Sequence, residues 1–190
     1  MKTPDLPHGA RQRGTTLIEV MVTVALLAFG LLGIAAFQTK AQIGAVEAYQ
    51  RAQALVLLED MQARISANYS PILGRQYITT TPMGTDATNP PNCSGEPIGP
   101  ARDLCEWSNA LKGAGESSGT TKLGAMEGAR GCIRPIEPRP NMGSVPGVIL
   151  LLTVSWQGLH DTKEPIQICG DGSYGRETLR RSISIRMAIA

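Results

Sequence analysis

The chain has 190 residues, only 4% of them aromatic, and a formal net charge of +2 at pH 7. This length suits one domain of ordinary size with an extension. The first fourteen residues carry three basic residues and one acidic residue, which leaves fifteen of each in the remainder. A balanced remainder lacks the basic excess that phosphate contacts need, and few aromatic rings are available for stacking, so we expect no strong nucleic-acid binding.

A basic leader precedes a long apolar segment. Residues 1–13 are polar and basic, and no charged residue occurs in the run of 18 from Val20 to Phe37. As an α-helix this run spans about 27 Å, close to the hydrocarbon core of a bilayer. It is longer than the apolar part of a cleaved secretory signal. We therefore predict a membrane helix over about residues 17–38, with a cytoplasmic N-terminus and the bulk of the chain outside.

Glu19 lies at the head of this apolar segment, between Ile18 and Val20. A charge within a membrane helix costs a few kcal/mol even on lenient insertion scales, so such a residue is a functional candidate. The alternative is an interfacial carboxylate at the level of the headgroups, which costs little. The preceding residues favour a functional role, because Gly14 ends the basic leader and Glu19 is the fifth residue after it.

The segment Gly14-Thr15-Thr16-Leu17-Ile18-Glu19 resembles the processing site of type IV prepilins and of the pseudopilins of type II secretion. In those families a membrane-embedded aspartyl peptidase cuts after the glycine and methylates the new amino terminus. The resemblance implies cleavage between Gly14 and Thr15, an N-methylated Thr15, and a subunit-pairing role for the carboxylate of Glu19.

Such a pairing has a clear physical basis. In the bilayer Glu19 can reach the headgroup layer. In a filament core its carboxylate would be shielded from water, and burying the charge is costly unless a cationic partner binds it at good geometry. The terminal amine of a neighbouring subunit would be its partner, so a misplaced subunit would leave two charges unmatched. Removal of Glu19 alone would strand the amine, a loss on the order of 3–5 kcal/mol at a buried site.

Two features depart from the family pattern. Thr15 stands where most members have phenylalanine; cleavage depends mainly on Gly14, so the cut is still expected, whereas methylation of Thr15 stays open. The helix also lacks the proline that many major pilins carry, and Gly30 and Gly33 are the positions at which it would loosen in a filament.

Apolar residues continue at spacings of three and four beyond the membrane segment, which predicts one long helix over residues 15–68. The predicted apolar stripe consists of Ala41, Ala45, Ala48, Ala52, Leu55, Leu58, Met61 and Ile65. The opposite, polar side holds Gln42, Glu47, Gln50, Arg51, Gln53, Glu59, Asp60 and Arg64. A helix of this length is about 80 Å long and suits a shaft that is half in the membrane and half packed on a head. Two helices with a break near Lys40 are the alternative.

We predict that residues 69–190 form a periplasmic head, which is loop-rich at first and then forms an antiparallel sheet. Leu104, Trp107 and Leu111 share one face of a short helix that Gly113 would end. Strands are expected at residues 131–135, 148–156, 166–168 and 179–189, where β-branched or alternating apolar residues occur. The fold class is therefore α+β, a type IV pilin-like roll with the long helix packed against a small antiparallel sheet.

Four cysteines occur in the head, with no CxxC spacing and no histidine nearby in sequence, so a zinc site is not expected. An even number beyond a membrane segment favours two disulfides in an oxidising compartment, with buried free thiols as the alternative. The segments CEWSNALKGAG (105–115), GCIRP (131–135) and VSWQG (154–158) are similar in order to the minor pilins called pilus modification proteins, of the PilV type. Of the three possible pairings we favour Cys93 with Cys105 and Cys132 with Cys169.

The head contains no Walker loop, GxSxG elbow or HExxH motif, so we expect neither an enzyme nor a cofactor. The acidic pair Glu59-Asp60 is most simply interpreted as part of a solvated helix face. His160 has no apparent catalytic base or metal-ligand partner in sequence.

We predict a minor pilin that is incorporated into a type IV pilus or primes its assembly. Its expected partners are other pilins and minor pilins through the N-terminal helix, the prepilin peptidase and the inner-membrane assembly platform. It would be a single-pass inner-membrane protein with a periplasmic head and would then enter the filament or its tip. Alternatives are a minor pseudopilin of a type II secretion system, a tip adhesin or DNA-capturing module, and a signal-anchored periplasmic enzyme.

Overall fold

The computed structural model describes residues 14–68, 75–113, 117–118, 121–122, 126–136 and 148–189. The chain divides into two compact units, one ending at Ile43 and the other beginning at Gly44. The first element, helix α1 (Leu17–Ala67), is continuous, so the predicted long helix is confirmed and the break near Lys40 is not observed. Its two ends lie within two residues of those predicted from the sequence.

In the first unit the large apolar side chains of α1 are exposed. Their exposed fractions run from 38% at Ile43 to 76% at Leu17, and Phe37 is 73% exposed. By length and composition α1 is the one helix among the described residues that could cross a membrane. A surface this apolar is typical of a segment that another hydrophobic environment covers.

The second unit is built on an antiparallel sheet. The strands in chain order are β1 (Met83–Gly84), β2 (Ser117–Ser118), β3 (Thr121–Lys122), β4 (Arg130–Ile136), β5 (Val148–Gln157) and β6 (Arg180–Ile189). Four of them form one sheet in the order β1-β4-β5-β6, and β2 pairs with β3 separately. A second helix, α2 (Pro100–Leu111), is followed by Gly113 at φ +77°, as the sequence predicted. The α+β, pilin-like fold class is therefore confirmed.

The core of the head forms where the C-terminal part of α1, helix α2 and one face of the sheet meet. Its buried apolar cluster contains Ala54, Leu58, Met61, Ile65, Tyr77, Trp107, Leu111, Ile133, Leu150, Leu152, Val154 and Trp156, among others. Trp107 is fully buried, and its indole Nε1 donates to the carbonyl of Leu57 at 2.9 Å. A Cβ at Gly131 would overlap the indole ring and lie 2.7 Å from Leu111 Cδ1. Glycine at this position therefore makes room for Trp107.

Polar contacts fix the end of α1 to α2. Arg64 donates to Asp60 at 2.9 Å on its own helix and to Glu106 of α2 at 2.5 Å. Burial alone would lower the pKa of Arg64, but these hydrogen bonds outweigh it and the pKa is raised. The Tyr77 hydroxyl donates to Asp103 at 2.5 Å, and burial together with this bond raises the pKa of Tyr77. Both side chains therefore keep their protons at neutral pH.

Two disulfides cross-link the head. Cys93 is bonded to Cys105, which ties the turn at residues 93–95 to α2. Cys132 on β4 is bonded to Cys169 in the segment before β6. This is the pairing that the sequence analysis favoured.

The predicted apolar stripe of α1 is only partly correct. The buried residues are Gln50, Ala54, Leu58, Met61 and Ile65, whereas Ala52 and Leu55 are exposed. Small alanines occur on more than one side of the helix, so they define its buried face weakly. The face is selected instead by its fit to the sheet, and polar groups at one end of the sheet hold Glu47.

The strand predicted at residues 166–168 is wrong. This segment is irregular, with Ile166 92% exposed and Ile168 55% exposed. β5 already has β4 on one side and β6 on the other, so no sheet position remains for these residues next to it. The segment is held instead by the Cys169 disulfide and by a hydrogen bond from the Arg180 guanidinium to the Gln167 carbonyl.

Candidate processing and assembly site

The residues around the expected cleavage point precede α1. Gly14, Thr15 and Thr16 are exposed and not helical. The Thr16 carbonyl accepts from the amides of Glu19 and Val20 at 3.1 and 3.3 Å, and the Thr16 hydroxyl also accepts from the Glu19 amide at 3.4 Å. Thr16 therefore caps the helix, and the bond between Gly14 and Thr15 lies in exposed backbone outside the hydrogen-bonded helix.

Gly14 has no packing role in the described part of the chain. No heavy atom lies within 4 Å of the position that a Cβ would occupy there. The fold therefore gives no reason for a glycine at this position, and a requirement for it would come from a protein that recognises the site.

Glu19 is exposed in the first turn of α1 and forms no hydrogen bond through its carboxylate with any described residue. The next charged residue along the chain is Lys40, which a helix places about 30 Å away. The described part of the helix near Glu19 therefore offers no counter-charge.

A model of the prokaryotic N-terminal methylation motif matches residues 9–35, which include Gly14, Thr15 and Glu19. The N-terminal segment is thus of the type IV prepilin-like class, whose members are pilins and pseudopilins processed by prepilin peptidase. No curated protein and no solved structure matched the chain.

A second polar site, which the sequence analysis missed, lies within the head unit. Glu47 of α1 accepts from Arg181 Nη2 at 3.0 Å and from the Leu159 amide at 3.3 Å, and it lies 3.0 Å from His160 Nδ1. Glu47 had been assigned to the solvent side of the helix. No local signal could have revealed this site, because Glu47 and Arg181 are 134 residues apart in sequence.

The same contact borders a hollow of about 340 Å³ lined by Glu47, Ala48, Arg51, Trp156, Arg181 and Ser182. Trp156 is 4% exposed, and its indole Nε1 has no hydrogen-bond partner among the described residues. Arg51 is exposed, while Arg181 is largely buried. The hollow is therefore bordered by two arginines, one carboxylate and the indole N–H of Trp156.

The segment between β5 and β6 is held by charged groups. Glu177 accepts from the Gly172 amide at 2.7 Å and from Arg180 Nε at 2.5 Å, and these bonds lower its pKa, the Gly172 bond most. Asp161 accepts from the Thr178 hydroxyl at 2.5 Å and pairs with Arg176 at 3.0 Å, which lowers its pKa too. In the described ranges there is no group of three or more side chains that could hold a metal ion.

Proposed function

We propose that this chain is a minor pilin, processed by prepilin peptidase after Gly14 and then built into a type IV pilus or into the complex that starts it. The observation that carries the proposal is the position of Glu19, five residues after Gly14 at the head of an exposed apolar helix, where its carboxylate has no hydrogen-bond partner among the described residues. His160 bonds to Glu47, which also holds Arg181, an arrangement that suits a structural role for the head better than a catalytic one.

The energetics of α1 favour bundling with other helices. Full burial of a large apolar side chain contributes about 1.5–3 kcal/mol, and the exposed face of α1 carries many such side chains. A bundle would remove Glu19 from water, where its charge needs a cationic partner. In our proposal the partner is the terminal amine at Thr15 of a neighbouring subunit, so apolar burial supplies affinity and the ion pair fixes the register.

A minor pseudopilin of a type II secretion system is the second candidate, because the same methylation motif is typical of both classes. We favour the minor pilin because the order of the cysteine-flanked head segments is similar to that of the pilus modification proteins noted above. The two candidates can be separated by testing for the chain in sheared pili and in type II secretion pseudopili from strains that lack one system or the other. A minor pilin should occur in the pili, and a minor pseudopilin in the pseudopili.

The direct test is mass spectrometry of the chain's N-terminus in cells with and without prepilin peptidase. We expect a start at Thr15, with or without one added methyl group, only when the peptidase is present. Retention of residues 1–14 in cells that contain the peptidase would contradict the proposal and favour a signal-anchored periplasmic protein.

A further inference from the structure

The two edges of the four-stranded sheet differ. At the β1 edge, the Gly84 amide donates to the Ser108 hydroxyl of α2 at 2.9 Å, so a side chain already occupies this outward group. At the other edge β6 pairs with β5 over all ten of its residues and with no further described strand. Within the described residues the sheet is therefore closed at β1 and open at β6.

The register identifies which backbone groups of β6 are open. The Gly158 amide donates to the Leu179 carbonyl at 2.8 Å, and hydrogen-bonded pairs then recur at every second residue of an antiparallel ladder. Arg181, Ile183, Ile185 and Met187 thus bond to β5. Ser182, Ser184, Arg186 and Ala188 direct their amides and carbonyls outward, and no hydrogen bond from another described segment reaches them.

Apart from the charge of Arg186, this edge lacks the features that usually protect an edge strand. Protected edges are commonly short, bulged, charged or interrupted by proline. β6 has ten residues, pairs in unbroken register and contains neither proline nor lysine. The side chains beside its outward groups are mostly small, at Ser182, Ser184 and Ala188. An incoming strand could therefore approach the backbone closely.

The charges near the edge specify what kind of strand fits. Arg186 is exposed, and β6 contains no acidic residue. The hollow described above lies on the other, α1 side of the sheet, where Arg181 and Glu47 pair with each other. Beside its outward groups β6 thus offers backbone donors and acceptors and one exposed cationic side chain, and no acidic one.

We propose that β6 accepts an extended, acidic segment of a different protein chain as a fifth strand of the sheet, with carboxylates on the face that carries Arg186. Added strands of this kind gain affinity from backbone hydrogen bonds and specificity from alternate side chains. A second copy of this chain is a poor occupant, because its own β6 carries arginines and its β1 edge is closed. The inference goes beyond the proposed function and does not require cleavage after Gly14.

The test uses the full chain in detergent and a labelled synthetic peptide of about nine residues that alternates valine with threonine and glutamate. We expect Ser184→Pro to weaken peptide binding by about tenfold, because proline removes one outward amide and leaves the ladder to β5 intact. Ser184→Ala is the matched control, since it deletes the same hydroxyl, which bonds to Thr153, but keeps the amide. Its affinity should match that of the unmodified chain.

Two further measurements can overturn the inference. A lysine version of the peptide should bind more weakly than the glutamate version, and Arg186→Gln should reduce the difference between them. Equal binding of both peptides, or unchanged binding by Ser184→Pro, would refute an acidic strand at this edge. A detergent-solubilised dimer that Ser184→Pro converts to a monomer would show that a second copy occupies the edge instead. Leader cleavage in Ser184→Pro cells reports on the proposed function separately.

Discussion

The part of α1 that ends at Ile43 and the unit that begins at Gly44 differ in where their apolar side chains lie. In the first, apolar side chains such as Leu17, Phe29 and Phe37 are at least two-thirds exposed. In the second, residues such as Leu58, Trp107 and Leu150 are completely buried, and two disulfides reinforce their packing. The second unit thus contains its own hydrophobic core, whereas the first can bury its surface only against a bilayer or other chains.

This difference shows that the two regions are specified by different kinds of sequence information. The first depends on a short motif and on uniform hydrophobicity, and the single charge at Glu19 distinguishes its N-terminal end. The second depends on shape, such as the space at Gly131 that Trp107 fills. A substitution in the first region should therefore leave the stability of the head unchanged, and a substitution in the head should leave leader cleavage unchanged. The following predictions test this separation.

The largest effect is expected from Glu19→Ala. We expect cleavage after Gly14 to persist, while incorporation into the fibre falls by at least about a hundredfold, which corresponds to the loss of about 3–5 kcal/mol at a buried charge pair. The measurement is the amount of the chain in sheared fibres relative to that in membranes. Glu59→Ala, an exposed glutamate on the same helix, is the control and should incorporate normally. Normal incorporation of Glu19→Ala would remove the pairing argument.

The next largest effect should come from the disulfides. On a chain-entropy basis, replacing Cys132 and Cys169 by alanine, at a sequence separation of 37, should cost about 4 kcal/mol of unfolding free energy. Replacing Cys93 and Cys105, at a separation of 12, should cost about 3 kcal/mol. Urea unfolding of the detergent-solubilised chain, followed by tryptophan fluorescence, measures both. The reverse ranking, or a loss of leader cleavage in either variant, would contradict the separation.

A pair of glycine substitutions sharpens the comparison. Gly131→Ala places a Cβ against Trp107 and should lower the unfolding free energy of the head by about 1–3 kcal/mol. Gly33→Ala meets no atom within 4 Å and should change the stability of the head by less than about 0.5 kcal/mol. The same urea experiment reports both values. Equal effects would show that the two regions are coupled.

The smallest effect concerns pH. The folded-state pKa of Glu177 lies below the ordinary value of 4.5, because the Gly172 amide and Arg180 favour its charged form. Its contribution to stability is therefore present above the unfolded pKa and is lost as the pH falls through the lower, folded value. Unfolding midpoints measured from about pH 7 to about pH 3 should decline less in Glu177→Gln than in the unmodified chain. Identical pH profiles would contradict this assignment.

The elements recovered from sequence are those with a strong period or a motif. The apolar run followed by apolar spacings of three and four predicted α1 to within two residues, β-branched and aliphatic residues predicted β5, and alternation predicted β6. The spacing from Gly14 to Glu19 predicted a prepilin-like segment, and the methylation motif matches residues 9–35. Each of these signals is local, so a single sequence is enough to detect it.

The features that escaped prediction depend on distant parts of the chain. The inward position of Glu47 follows from Arg181 and His160, and β1 has only two residues, defined by their pairing with β4. Alternation at residues 166–168 resembled a strand, but the sheet has no free position beside β5. Patterns along the sequence indicate which residues could be buried, whereas the partners across the fold determine which of them are.

The order of the disulfide bonds along the chain has a consequence for biogenesis. Cys93 bonds to the next cysteine, Cys105, and Cys132 bonds to the next, Cys169. In the periplasmic topology that we propose, the chain would present its cysteines to an oxidising compartment in this order. An oxidase that joins thiols as they emerge would therefore form the native bonds directly, and maturation of the head should not require a disulfide isomerase.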